Sequence, residues 1–468
     1  MKTPSQTLAD FCASLTFADL PEDVVEHAKL CILDGLGCAL FGAGLDCGEI
    51  MGIYVRDVGG RADATLWGMK GRVPAASAAL VNGTLIHSFE LDDLHKVSIL
   101  HPTSVALPAA IAMAQAKGGA QAKGGPQVKE GVSGADVVTA YIAGAEAGIR
   151  AGNCVGTTQL AGGFHPTGTL GPIAAAGAAG NMIGLSPEAM LHALSIGATQ
   201  GAGLMSAQFE SMVKRVHAGR AAQSGVMAAE LAARGLTGID TVFENDYGGF
   251  CKTFGDADAD LALLTDGLGE NFETAKTGFK YYSACGSTHT TIDAMKTLRR
   301  DHNLTADDVE RIDVDATTAT FLHVGFPYVP GSLTSAQMNL PYAAAITLSE
   351  GEAFVEQYTD AKTHDPGVVA LTKRVFVSAS DDLDALGGQG RHHVRIRVAT
   401  KDGKTLTTER KHAKGSDADP LTRQEVVEKF HRLAGTRIGR TGAGQLYDCV
   451  MGLDKAESLS EFMRLLSP

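Results

Sequence analysis

Along the first half of the chain, apolar and small residues recur with little charge between them, a pattern that predicts a series of buried helices. Pro21-Glu22-Asp23 opens one, because proline fits a first turn and acids favour the positive end of the helix dipole. That helix runs from Val24 to Gly44 with Asp34 as the odd polar residue inside it. Arg61 to Gly71, which holds the only Trp, reads as a short extended connection. Pro74 to Thr84 is Ala-rich and helical, and Ser104 to Ala116 is a further apolar helix. Ser133 and Asp136 form a capping box for a helix to Arg150. Helices follow over Pro172 to Met182 and, capped by Ser186-Pro187-Glu188, through an apolar run to Gly203.

Past Thr265 the texture changes. Lys276 to His289 is polar and aromatic, and a helix is expected from Thr290. Val309 to Ala316 alternates as a strand does, as do Val375 with Val377 and Val394, Ile396 with Val398. The last of these precedes Asp402-Gly403 and Leu406 to Glu409, a strong hairpin pattern. Pro420 to Ala434 returns to helix. The predicted fold is therefore mainly α with an α+β insertion. An all-helical domain spans 1–268, a smaller α+β domain spans 269–410, and 411–468 returns to the helical body, with the cleft between the two.

At 468 residues the chain exceeds what one core comfortably holds, and 56 glycines allow helices to approach closely. A net charge of −13 argues against nucleic acid as a partner, though a few lysines can still reverse the sign inside a cleft. The N-terminus has no signal-peptide core and no run approaches membrane-spanning length, so the expected location is cytoplasmic with no membrane partner. None of the eight cysteines forms a CxxC pair, which leaves buried thiols as the expectation. The tandem AQAKGGAQAKGG from Ala114 to Gly125 reads as a mobile surface loop.

Candidate chemistry centres on His87 to Pro108, which gathers Glu90, Asp92, Asp93, His87, His95, His101 and Lys96 between apolar flanks. Were Leu85 to His95 helical, His87, Glu90 and Asp93 would share one face, with Asp92 and His95 opposite. Fixed donors and acceptors of this kind suit acid–base catalysis; the alternative is a solvated, salt-bridged turn. Glu90, Asp92, Asp93 and His95 could also serve a divalent ion, but two of them face away from the other two. A second cluster places His165 in a Gly-rich loop before a helix start, where free N–H groups favour a carboxylate or phosphate. In a third, Lys214 and His217 share a helical face, as an anion anchor or as surface charges.

The stretches HSFELDDLH…LHP, GFHPTGTLG, VKRVHAGRAA, FKYYSACGSTH and SAQMNLPYAAAITLSEG together resemble the MmgE/PrpD family over nearly the whole chain. That family includes 2-methylcitrate dehydratase, cis-aconitate decarboxylase and iminodisuccinate epimerase. The resemblance implies a helical domain with an α+β lid, a homodimer, no metal or organic cofactor, and small substrates with two or three carboxylates. By the same resemblance Glu90 stands where the dehydratases and the decarboxylase have Asp, while Asp93 and His101 keep the motif. His165, Lys214 and Tyr342 match the family's histidine, cleft lysine and lid tyrosine. Leu94 replaces a threonine, and Cys285 a histidine of the decarboxylase.

The implied chemistry is removal of a proton next to a carboxylate, with cations stabilising the resulting charge. Lys214 would neutralise one carboxylate, assisted by His217 or Lys280, and His101 or His165 would be the base. For a dehydratase, a protonated Asp93 or Glu90 would donate to the leaving hydroxyl; for an epimerase, Cys285 would supply the second acid. The reading is thus a cofactor-free hydro-lyase of a polycarboxylate such as 2-methylcitrate or citrate. Its alternatives are a dicarboxylate epimerase or isomerase and a non-catalytic carboxylate-binding homologue.

Overall fold

The computed structural model describes residues 2–119 and 131–467. Its first core is built from α1 (Glu22–Gly42), α2 (Ala75–Ile86), α3 (Thr103–Gly119), α4 (Gly134–Val155), α5 (Pro166–Ile183) and α6 (Val213–Ala232). Much of each helix carries alanine and glycine on its buried faces, so backbones pack at close range. A Cβ on Gly219 of α6 would collide with the Leu80 carbonyl and the Thr84 hydroxyl of α2, and one on Gly83 would press on the Ser104 carbonyl of α3. These glycines let three helices cross where the polar stretch begins.

A second core gathers α7 (Gly286–His302), α8 (Leu340–Glu350) and a four-stranded sheet of β1 (Val309–Ala316), β2 (Val375–Ala379), β3 (Val394–Thr400) and β4 (Thr405–Arg410). The strand order is β2-β1-β3-β4. β1 and β2 run parallel across a helical crossover, whereas β1–β3 and β3–β4 are antiparallel. Val394, Ile396 and Val398 face inward as their alternation predicts, and Gly403 takes the positive φ of 83° that the hairpin turn needs. The fold is mainly α with a small mixed sheet. The chain then returns to the first core through α9 (Arg423–Met451).

Several expectations shift. The helix expected over Leu85 to His95 stops at Ile86, followed by one 3₁₀ turn over His87–Phe89 and a left-handed Glu90 with φ 57°. The predicted helix at Pro172 starts at Pro166 and carries Pro172 inside it. The helix expected to reach Gly203 ends at Ala198, and α7 starts at Gly286 rather than Thr290. The segment over Arg61–Gly71 includes half of a short hairpin, Ala64–Thr65 against Arg72–Val73, that buries Trp67. The first copy of the Gly-rich repeat continues α3 to Gly119 instead of looping out, and the second copy lies outside the described residues. All eight cysteines are free thiols, seven of them buried. Among the described residues, no single helix is long and apolar enough to cross a membrane.

Asp34, the polar residue inside α1, meets Lys429 of α9 at 2.6 Å, both out of contact with water. Lys429 Nζ also donates to the carbonyls of Leu91 at 2.6 Å and Lys280 at 2.8 Å. It thereby braces the chain immediately after Glu90 and at Lys280. Removing one partner of a buried pair strands the other's charge, so Lys429→Met is expected to lower unfolding stability by about 3–5 kcal/mol. Urea denaturation of wild type and variant checks this, and a loss within about 0.5 kcal/mol would contradict the bracing role.

Candidate active site

The site begins with an abrupt change of direction. Phe89 inserts into the second core, edge-on to Phe41 at 5.0 Å between ring centres, whereas Leu91 packs into the first. Only a sharp reversal at the residue between satisfies both, and Glu90 adopts the left-handed conformation at a cost of roughly 1–2 kcal/mol. Its carboxylate compensates through three cations. Lys214 Nζ donates to Oε2 at 2.7 Å, Lys280 Nζ to Oε1 at 3.0 Å, and Arg215 also donates to Oε2. Burial pushes the Glu90 carboxyl up, but Lys214, Lys280 and Arg215 outweigh it and hold the group well below the usual carboxylate range. Glu90 is therefore an ionised counterion here, which corrects its expected role as a protonated donor.

The neighbouring acids part company because the expected helix is absent. Asp92 turns to the imidazoles: His87 Nδ1 donates to its Oδ2 at 2.8 Å, and His101 Nδ1 stands 3.2 Å from the same oxygen. Burial raises the Asp92 carboxyl, yet His101 and His87 hold it well below its ordinary value. Asp93 goes the other way, into the first core, where it accepts from Thr103 Oγ1 at 2.7 Å beside Tyr141. Burial, with Asp92 and Asp34 adding repulsion, pushes the Asp93 carboxyl well above its ordinary value. It does not line the cleft, where it was expected to donate a proton. His95 bonds Ser98 and faces Glu273, so the four-residue metal set considered from sequence does not assemble. His87, Asp92 and His101 do present ligand atoms within 4.8 Å of one another, a donor set that a divalent transition metal accepts. Here both Nδ1 atoms converge on one Asp92 oxygen, His87 through a hydrogen bond and His101 through a contact at 3.2 Å.

Between the two cores lies a cleft of about 530 Å³, its open mouth included. The structure brings Glu90, His101, His165, Lys214, Lys280 and Cys285 together on its walls. His165 caps the start of α5, held there because Pro166 fixes the first helical turn. Cys285 occupies the same position ahead of α7, with its Sγ 3.7 Å from His323 Nε2. Burial pushes the Cys285 thiol up, but His323 more than offsets it and brings it to about 7. Two expected residues lie elsewhere. Tyr342 sits within the second core, its hydroxyl donating to the Gln357 carbonyl at 2.8 Å and its ring between Tyr328 and Tyr358. His217 faces away from the cleft and bonds His165, Nδ1 to Nδ1, at 3.0 Å.

Sequence reasoning missed Arg215, His323, Arg391 and His392. Arg215 adjoins Lys214 and could have been found from its apolar flanks; the others precede a strand or sit in a short helix, with no local pattern to mark them. Arg391 is notable because among the described residues its guanidinium has no acidic partner. Burial lowers it, and only Cys285 draws it back up.

His87, His165 and His217 are shifted towards the neutral form. Burial lowers His87 from 6.5 to about 3 despite Asp92. Burial, and then Lys214, lower His165 well below 6.5 and His217 to about 4. In this window the unfolded chain takes up protons that the native state refuses, so stability is present above about pH 6.5 and falls on acidification. The urea midpoint is expected to drop steadily from pH 6.5 to 4.5, each such histidine adding a slope of about 1.4 kcal/mol per pH unit. Equilibrium unfolding across that range tests it, and a flat profile would mean the histidines are charged in the fold.

The MmgE/PrpD N-terminal domain matches residues 6–262 and the MmgE/PrpD C-terminal domain residues 282–454. A cis-aconitate decarboxylase-like protein (oryM) of Aspergillus oryzae is 32% identical, covering 98% of this chain and 96% of its own. A cis-aconitate decarboxylase of Aspergillus terreus is 30% identical over 98% of this chain and 95% of its own. The cis-aconitate decarboxylase of Homo sapiens is 27% identical over 100% and 95%. With both halves matched and the similarity unbroken from end to end, the chain belongs to the MmgE/PrpD family.

Proposed function

We propose that this protein is a cofactor-free lyase of a small, citrate-like di- or tricarboxylate, and that the group it expels is water. The observation that carries the reading is the charge of the cleft. Lys96, Lys214, Lys280 and Arg391 line it against a single carboxylate, Glu90, so the enclosed space favours a multiply anionic ligand. Lys214 and Lys280 neutralise the carboxylate next to the reacting carbon and stabilise the enolate charge as it develops. His165, neutral with Nδ1 engaged by His217, keeps Nε2 free to take the proton from that carbon. When an anionic substrate compensates Lys214, one cause of the low basicity of His165 is relieved, so binding itself strengthens the base. His101, oriented by Asp92, donates to the departing hydroxyl.

Two observations favour other outcomes from the same proton transfer. The relatives' names point to loss of carbon dioxide. The Cys285–His323 pair is a second acid on the wall from the other core, which suits epimerisation.

Incubation with citrate, 2-methylcitrate and cis-aconitate in D₂O separates the three. Ultraviolet absorbance growth without gas is the expected result for a hydroxy acid; carbon dioxide release assigns the decarboxylase, and deuterium in recovered substrate without product assigns the epimerase. Lys214→Ala is expected to reduce kcat/KM by roughly 100-fold or more in whichever reaction occurs. A chelator is expected to leave the rate unchanged, and its abolition of activity would reinstate a metal at His87, Asp92 and His101. No turnover or exchange with any of the three acids would sink the proposal.

A further inference from the structure

His165 and His217 open onto different spaces. His165 lines the cleft, whereas His217 lines a separate open groove of about 1050 Å³ beside Gly203, Ser211 and Arg220. Their Nδ1 atoms stand 3.0 Å apart. This bond joins the interior of the cleft to outside water through two side chains, one of them half-buried. From this juxtaposition we infer that His217 is a proton relay, carrying the substrate's proton from His165 to the groove. The inference rests on His165 acting as the base of the reaction proposed above.

The steps balance. Two neutral imidazoles can share an Nδ1–Nδ1 bond only if one donates and the other accepts. With His165 donating, its Nε2 receives the carbon-bound proton as its Nδ1 proton crosses to His217 Nδ1. His217 then releases its own Nε2 proton to water in the groove. One proton has entered and one has left; both rings are neutral with their tautomers exchanged. A proton returning from the groove to His217 Nε2 reverses the pair as His165 passes its Nε2 proton to water in the cleft, from which His101 is recharged. The advantage is electrostatic. An imidazolium at His165 would stand in a buried site facing Lys214, the charge that already depresses it. The relay moves the proton without leaving that charge in place. Nothing in this scheme uses His217 as a carboxylate ligand.

The test is turnover of the full-length protein by His217→Asn and His217→Gln, with the polycarboxylate that wild type consumes or exchanges in the D₂O experiment. Each variant is expected to lose kcat by roughly tenfold or more with KM unchanged. Added imidazole, entering the groove, is expected to restore kcat saturably, and the solvent isotope effect on kcat to rise until it does. Two variants guard against one that fails to fold, and thermal melting identifies such a case. Unchanged kcat in the folded variants overturns the relay. So does a loss that no small amine restores, because that marks a group which merely orients His165. Wild type inert towards every polycarboxylate removes the proposed lyase and the relay together, whereas active wild type with normal His217 variants removes the relay alone.

Discussion

The architecture depends on one carboxylate shared among three cations. Glu90 is cut off from water, and so are Lys214, Arg215 and Lys280, which come from a helix of the first core and from the segment joining the two cores. Removing any of these charges from water costs several kcal/mol, and their mutual attraction offsets that cost only while geometry is tight and spare donors are satisfied. Arg215 meets this condition by also donating to Gln337 at 2.8 Å, and Lys280 by also donating to the Glu90 carbonyl at 3.2 Å. The arrangement leaves an excess of positive charge, because three cations meet one anion. Such a cluster is a poor device for stability and a good one for holding a second, exchangeable anion.

That constraint reaches outward. Gly219 and Gly83 let α6 lie directly on α2, which sets Lys214 and Arg215 over Glu90, one short turn past the end of α2. Lys429 fixes the carbonyls of Leu91 and Lys280, on either side of the cluster, to the buried Asp34. Gln337 Nε2 donates to the Phe89 carbonyl at 2.8 Å, so the second core grips the reversal from the opposite side. The left-handed Glu90 is thus over-determined by its neighbours, the circumstance in which backbone strain persists at functional sites.

Much of this was legible residue by residue, and what was not has a physical cause. Asp34 stood out because a charge inside an apolar helix requires a partner; which partner depended on α9, nearly 400 positions away. The capping box at Ser133 and Asp136 and the Asp402-Gly403 hairpin are local, and both formed as their side chains and backbone dictate. The run from His87 to His95 misled because helical periodicity assumes one continuous element. Phe89 and Leu91 belong to different cores, and tertiary burial overrode the local pattern. The same break separated Asp92 from Asp93 and turned Asp93, expected as a proton donor in the cleft, into the first core behind it. Tyr342 misled differently: an aromatic ahead of an Ala-rich helix is equally suited to a core, and its hydroxyl found a carbonyl there. Arg391 and His323 carried no signal because only the folded second core brings them to the cleft.

The two walls of the cleft therefore play unequal parts. The first core contributes Glu90, His101, His165 and Lys214, residues fixed by helix crossings and the buried Asp34–Lys429 brace. The second core contributes Cys285 ahead of α7, His323 from a short helix, and Arg391 and His392 from the segment leading into β3. On the reading proposed above, whether the proton returns to carbon depends on which groups face the substrate from that second wall. A thiol near neutrality can return a proton to carbon, whereas the apolar Met338 of the same wall cannot. On that same reading, the first wall takes the proton and protonates the leaving hydroxyl, and Cys285 of the second wall is the group that would divert the same proton transfer to epimerisation.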